Sequence, residues 1–249
     1  MKELYEKLYD VFNNLESFKN NAHFVSMQGP FYQQNSRRFL LIGRATNGWM
    51  SLPTASRDFF GNEAQKQFDD RTRWNWVEAH DDTLYSAHDK GKKNYSQRYC
   101  LSKKPFWYYT KAIWYQLPGD IQSCDIWMKN IAWSNLYKVS PITGHNPNEK
   151  SKSIQLDVCK SILKKELEQY QPTHILISTG YDWFAPFADI FENVKKNENL
   201  NSKHGKDKNN IYVEGTASYG DAKTVISCRP EWKNKQVFVS SIVSAFQQE

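Results

Sequence analysis

The residues best suited to chemistry in this chain follow directly after short apolar runs. The first run, Phe39-Leu40-Leu41-Ile42, is succeeded by Gly43-Arg44-Ala45-Thr46-Asn47-Gly48. The glycines of such a turn let the backbone leave a strand sharply and approach a ligand closely. In open parallel α/β sheets, ligands bind at the carboxyl ends of strands. This turn is therefore a candidate ligand-contacting segment, and the alternative is a core strand with an ordinary turn.

A polar residue interrupts the second apolar run. Asn135 lies inside the segment from Ile131 to Val139, and a buried amide without partners costs about 1–3 kcal/mol. Its adjacent donor and acceptor match the edge of a pyrimidine or of another amide-bearing ligand. The alternative is an asparagine that neighbouring backbone groups satisfy. If the amide faces a ligand, Lys138 and the Ser140-Pro141 turn should border the same pocket.

An arginine follows the last apolar run, within Ser227-Cys228-Arg229-Pro230-Glu231-Trp232. A guanidinium at the end of a strand suits a carbonyl oxygen, a phosphate or developing negative charge. The alternative is an ordinary ion pair at the protein surface. Arg229 is therefore a second candidate for contact with a ligand.

These segments need a scaffold in which strands alternate with helices. Apolar periodicity predicts strands at 38–43, 131–139, 174–178 and 224–227, and helices at 2–18, 102–117, 151–170 and from 234 onward. Alternation of this kind predicts an α/β fold with a parallel sheet and helices on both faces. All four strand ends should then open on one edge of the sheet.

The composition limits the partners and cofactors. Among 249 residues, 33 Lys and Arg stand against 27 Asp and Glu, which gives a net charge of +6. Basic loops beside 9 Trp, 14 Tyr and 14 Phe are suited to phosphates and to base stacking, as in a nucleic-acid groove. The 4 cysteines show no C-x-x-C spacing, which argues against zinc and iron–sulfur sites. No cofactor or metal is expected, although His80-Asp81-Asp82 with His88-Asp89 is a weaker metal candidate.

Several common signals are absent from the sequence. No apolar run approaches the roughly 18 residues of a membrane span, and the N-terminus lacks the apolar core of a signal peptide. A soluble cytoplasmic protein is therefore expected. The P-loop, G-x-S-x-G and G-x-G-x-x-G patterns are also missing, which excludes the classes that depend on them.

The order of the motifs resembles the uracil-DNA glycosylase superfamily, above all its thermophile-type iron–sulfur branch. Gly43-Arg44-Ala45-Thr46-Asn47 and Phe59-Phe60-Gly61 stand where that family has G-E-A-P-G and an F-x-G turn. The family's N-x-V-K-C-x-P-P-G-x-R-x-P is similar to Asn135-Leu136-Tyr137-Lys138-Val139-Ser140-Pro141 followed by Asn146-Pro147. Its final H-P-S corresponds to Arg229-Pro230-Glu231. The second of these motifs is the most specific.

The resemblance, which covers roughly residues 36–249, implies a three-layer α/β/α sandwich with a four-stranded parallel sheet. It also implies a pocket for a flipped-out base. Asn135 would read the edge of the base, and Phe59 or Phe60 would stack on its ring. Arg229 would replace the family's histidine, which faces the base carbonyl and stabilises the leaving anion.

Three departures from the family's pattern affect the catalytic expectation. The family's water-positioning residue is acidic or an amide, and Arg44 or Ala45 occupies its place, so Asn47 is the nearest substitute. The cluster cysteines are absent, as Val139 shows. An insertion near 62–104 separates the phenylalanines from Asn135. We therefore expect Asn47 and Arg229 to be the catalytic residues of a slow enzyme, with Gly43, Arg44, Phe59, Phe60, Asn135 and Lys138 binding the substrate.

The expected protein is one uracil-DNA glycosylase-like domain over residues 1–249 with an N-terminal helix. It should bind nucleic acid, with DNA as the first choice, and accommodate a flipped base, with slow cleavage of the N-glycosidic bond or none. The alternatives are a non-catalytic nucleic-acid-binding module and an enzyme that acts on a small nucleotide or nucleoside. A basic rim and an intercalating loop after Arg229 would favour a duplex reader. No membrane partner is expected, and the oligomeric state stays open.

Overall fold

The computed structural model describes residues 1–13, 21–46, 56–70, 101–119, 127–198 and 212–248. Asn47 lies outside these residues. So do the histidine–aspartate segment at 80–89 and most of the insertion expected near 62–104.

The described residues contain nine strands. They are β1 (Asn21–His23), β2 (Met27–Gln28), β3 (Phe39–Gly43), β4 (Ile131–Asn135), β5 (Val139–Pro141), β6 (His174–Ser178), β7 (Glu192–Lys196), β8 (Val213–Tyr219) and β9 (Ala222–Ser227). Strand β1 pairs with β5, and the other seven form one sheet in the spatial order β2-β4-β3-β6-β9-β8-β7. In the middle of this sheet, β4, β3, β6 and β9 are parallel neighbours. The outer strands β2, β8 and β7 are antiparallel to their neighbours.

The sheet is therefore mixed and seven-stranded, with the four predicted strands parallel in its middle, and a sheet of four parallel strands alone is not confirmed. The extra strands come from segments with weak patterns. Strand β7 is mostly exposed and lacks an apolar run, and β2 has only 2 residues. Both strands are specified by pairing with a neighbour instead of by their own apolar periodicity.

Six α-helices occur among the described residues. They are α1 (Lys2–Asn13), α2 (Arg57–Asp69), α3 (Pro105–Gln116), α4 (Glu149–Tyr170), α5 (Tyr181–Phe184) and α6 (Lys235–Gln247). Helices α2, α4 and α6 begin after Ser56, Asn148 and Asn234, whose side chains accept a hydrogen bond from the third residue of the helix. The predicted helices at 102–117, 151–170 and beyond 234 are confirmed within a few residues. No helix in the described part of the chain is both long and apolar enough to cross a membrane.

The sheet divides the hydrophobic core into two clusters. Leu40 and Ile42 face a cluster that α1, α2 and α4 complete. Phe39 and Leu41, which alternate with them along β3, face a second cluster completed by α3 and α6. Helices therefore cover both faces of the sheet, and the carboxyl ends of the four parallel strands share one edge.

Lys138 belongs to the core and does not border a pocket. Its side chain is fully buried, with Nζ 2.9 Å from the Glu166 carboxylate of α4. The same ammonium donates to Ser134 Oγ at 2.8 Å and to the Asn135 carbonyl at 2.7 Å. Spacing along the motif suggested a pocket position, but the backbone after β4 directs this side chain toward α4. The structure thus corrects the expected substrate-binding role of Lys138.

Replacing Lys138 by Met should cost about 3–5 kcal/mol in the free energy of unfolding, because it leaves the Glu166 carboxylate buried without its cation. Adding Glu166→Leu should recover most of the loss, since an apolar pair of similar volume replaces the ion pair. Urea unfolding measures both values. Lys165→Met is the matched control, because its ion pair with Glu168 on the same helix is exposed and should contribute about 0–1 kcal/mol. A double variant as unstable as Lys138→Met would contradict this account.

Candidate functional site

A cavity of about 880 Å³ opens at the carboxyl edge of the parallel strands. Gly43 ends β3, Asn135 ends β4 and Ser178 ends β6, and all three line the cavity. Arg44 and Arg229 line it too, each within two residues of the end of its strand. The parallel topology therefore brings four of the expected site residues to one cavity: Gly43, Arg44, Asn135 and Arg229.

Asn135 lines this cavity, and the nitrogen of its side-chain amide has no partner. Asn135 is only 2 % exposed, and its Nδ2 has no hydrogen-bond partner in the structure. Most buried donors in folded proteins are paired, so this one is suited to an acceptor atom of a ligand or to a water molecule. The alternative of an amide satisfied by backbone groups is not what the structure contains.

Gly43 makes room for the Asn135 side chain. The parallel register of β3 and β4 sets Gly43 beside Asn135, and a Cβ atom at position 43 would overlap Oδ1 of Asn135. The Phe106 ring is the next neighbour, 3.4 Å from that Cβ position. A glycine is thus required here by close approach between neighbouring side chains.

The aromatic wall of the cavity comes from α3 and not from the phenylalanines that precede Gly61. Phe106 and Tyr108, in the first turn of α3, line the cavity together with Trp133 of β4. Trp107 and Tyr109 are buried in the core, although both also reach the cavity wall.

Phe59 and Phe60 are not among the described residues that line the cavity. Ser56 caps a helix where the resemblance implied a turn. That helix directs Phe60 into the core, fully buried with its ring centroid 5.9 Å from that of Tyr5 and 4.9 Å from that of His23. Phe59 is 41 % exposed. The expected stacking role of both residues is therefore corrected.

Arg44 is held rigidly at one side of the cavity. Its Nε donates to the Thr179 carbonyl at 2.7 Å, and its guanidinium lies over the Trp183 ring at 4.8 Å from the centroid. Burial, helped by the positive charge of Arg229, lowers the pKa of Arg44 to about 10. The side chain is still charged at neutral pH.

Arg229 lies in an exposed turn at the mouth of the cavity. Its Nε is 3.0 Å from the carboxylate of Glu231, and Nη2 bonds to the same carboxylate. The surface ion pair foreseen as an alternative therefore exists, although both of its members also line the cavity. In the same turn, Trp232 adopts the left-handed conformation at φ +65° and is fully exposed.

The rim of the cavity is strongly basic. Lys103, Lys104 and Lys233 line it beside the two arginines, and Glu231 is the one carboxylate among the described lining residues. The described parts of the chain contain no group of three or more His, Cys, Asp or Glu residues that could hold a metal ion. The rim is therefore suited to anions.

Sequence reasoning missed several lining residues, and some had a usable signal. Ser178 is the last residue of β6 and of the strand predicted at 174–178, so its place at a strand end was a usable signal. Asn146 stands within the quoted motif and also lines the cavity. Phe106 had no such signal, because its place depends on how α3 lies over the edge of the sheet.

No protein-family model matches the chain, and no curated protein matches it either. Its function must therefore be inferred from the cavity itself. The features available for that inference are the unpaired amide of Asn135, the aromatic wall and the basic rim.

Proposed function

We propose that the cavity binds a nucleobase carried by a nucleic acid, in a protein of the uracil-DNA glycosylase type. The single observation that carries this proposal is that Asn135, whose buried Nδ2 has no hydrogen-bond partner, is one of the residues that line the cavity. An amide presents a donor and an acceptor side by side, and a pyrimidine such as uracil presents the complementary pair on its edge. The Phe106 ring, next to Gly43, is suited to contact with the ring of the base.

The arrangement of the sheet supports the same type of fold. The four parallel strands have hydrophobic clusters on both faces, which is consistent with the three-layer α/β/α sandwich implied by the motif order. The carboxyl edge of the parallel strands, where the cavity opens, is also where that fold would hold a base. Strands β2, β7 and β8 depart from the implied sheet, but all three lie outside its parallel centre.

The rim favours a nucleic acid over a free base as the partner. Lys103, Lys104 and Lys233 can contact phosphates, and such contacts supply much of the affinity for a strand. Trp232 is fully exposed beside them, and an exposed indole can stack on a base next to the one in the cavity. A basic rim together with an exposed aromatic turn after Arg229 favours a protein that binds a nucleic-acid strand over an enzyme that acts on a small nucleotide.

Cleavage of the N-glycosidic bond should be slow or absent. The reaction needs a water beneath the sugar and an environment that tolerates the departing base anion. Glu231 is the one carboxylate among the described lining residues, and its ion pair with Arg229 opposes a role as general base. Asn47 could orient a water but could not take its proton at neutral pH. A non-catalytic binding module is therefore the second candidate function, favoured by this same ion pair.

Replacing Asn135 by Ala should weaken the binding of uridine at least about fivefold, because the base loses both of its hydrogen bonds. Gly43→Ala should have a similar effect through displacement of the Asn135 side chain. Isothermal titration calorimetry measures both constants, and Asn62→Ala, on the surface of α2, is the control. Uridine binding that is unchanged in Asn135→Ala would refute the base-reading role.

Binding of a single-stranded uracil oligonucleotide should depend steeply on salt. With three or four phosphate contacts, a rise from about 50 to about 200 mM salt should weaken it roughly 20- to 50-fold. Lys233→Gln should reduce this salt dependence, whereas Trp232→Ala should lower affinity about fivefold or more and leave the slope unchanged. Fluorescence anisotropy measures both effects. An affinity that does not change with salt would favour the alternative of an enzyme that acts on a small nucleotide or nucleoside.

Excision of uracil from an oligonucleotide should be slow or undetectable in a gel assay. The informative comparison is wild type against Asn135→Ala and Asn47→Ala. Fast excision by the wild type would overturn the weak-enzyme proposal. Equal slow activity in all three proteins would remove both asparagines from the mechanism.

A further inference from the structure

Two arginines from different strand ends face the same cavity. Arg44 follows β3 and Arg229 follows β9, and the strand between them in the sheet is β6. Their charges interact, since Arg229 is among the groups that lower the pKa of Arg44. Like charges brought together in a partly buried place need an anion to offset their repulsion.

The Arg44 guanidinium forms no ion pair with a described carboxylate, although the charges of Glu231, Glu214 and Asp182 act on it from farther away. No Asp or Glu oxygen of the described residues lies within 4.0 Å of it, whereas Arg57 and Arg229 both have such partners. The Glu214 carboxylate is nearby but accepts a hydrogen bond from the Tyr181 backbone N–H. The Thr179 carbonyl and the Trp183 ring hold the guanidinium in place, and Arg44 is one of the residues that line the cavity.

Arg229 has a partner that an incoming anion could replace. Glu231 is close in sequence, and their ion pair is partly exposed, with 46 % and 29 % of the two side chains accessible. Exposed ion pairs of this kind contribute only about 0–1 kcal/mol. An anion with several oxygens could therefore bind Arg229 without a large loss.

We infer that Arg44 and Arg229 form an anion subsite that binds a phosphate group attached to the nucleoside whose base contacts Asn135. The part of this inference that concerns the base rests on the proposed function, whereas the anion subsite does not depend on it. Phosphate offers several charged oxygens, and guanidinium groups bind them in bidentate geometry. The cavity then has a neutral part at Asn135 and Phe106 and a cationic part at the two arginines. The ligand class is a nucleoside phosphate, either a free nucleotide or one residue of a strand.

The test compares uridine with uridine 5′-monophosphate by calorimetry on the full chain at low ionic strength. The phosphate should tighten binding by about tenfold or more. Arg44→Gln should remove that gain, so that this variant binds uridine and its monophosphate with similar affinity, and Arg229→Gln should remove part of it. Glu231→Gln should increase the gain severalfold, because a competing carboxylate is lost.

Arg38→Gln is the matched control. Arg38 immediately precedes β3, at the end of that strand opposite Arg44, and its Nε also donates to a backbone carbonyl, that of Gln171. It should keep the full gain from the phosphate. Arg44→Lys keeps the positive charge but lacks the planar guanidinium, and it should lose most of the gain. Thermal unfolding of each variant checks that the variant is folded.

Equal affinity for the nucleoside and its monophosphate would overturn the inference even if base binding stands. A gain that persists in Arg44→Gln would overturn it as well. Inorganic phosphate alone separates the two proposals: binding that depends on Arg44, without any uridine binding, would support the anion subsite and refute the proposed function. A uracil oligonucleotide that binds more tightly than the monophosphate would identify the phosphate as part of a strand, and the reverse order would identify a free nucleotide.

Discussion

The parallel pairing of β3 with β4 is the constraint on which the cavity depends. It sets Gly43 beside Asn135, and the missing side chain at position 43 leaves the space that the amide occupies. The pairing continues past the strand ends, where the Leu136 N–H donates to the Gly43 carbonyl at 2.9 Å and the Tyr137 N–H to that of Arg44 at 3.0 Å. The backbone on both sides of the amide is therefore fixed before any ligand binds.

A buried ion pair stabilises the backbone at the end of β4. Lys138 connects the Asn135 carbonyl to the Glu166 carboxylate, so the end of β4 is tied to α4 through a charge that has no access to water. Such a pair contributes little net stability compared with apolar side chains, but it is costly to break. Its effect here is to restrain the backbone of Asn135, which in the proposed base site would pre-organise the amide.

The rim and the interior of the cavity have different chemistry. The interior offers an amide and aromatic rings, whereas the rim offers lysines, two arginines and an exposed indole. A base with its phosphate has the same division between a flat, hydrogen-bonding part and a charged part. Glu231, the one carboxylate among the described lining residues, is paired with Arg229, so in the proposed site it would compete with an anion for Arg229 and would be unsuited to activate water.

The sequence by itself determined the parallel strands and the residues at their ends. Continuous apolar runs such as Phe39–Ile42 identify buried strands, and the parallel arrangement then brings Gly43, Asn135 and Arg229 to one edge whatever the details of packing. Only the tertiary structure decided which side chains complete the cavity. Phe60 went into the core and Phe106 to the cavity wall because helix direction and packing, which single residue types do not encode, set where each ring lies. Lys138 was likewise placed by a distant partner, Glu166, since a charge buried in the core needs a counter-charge that no local pattern reveals.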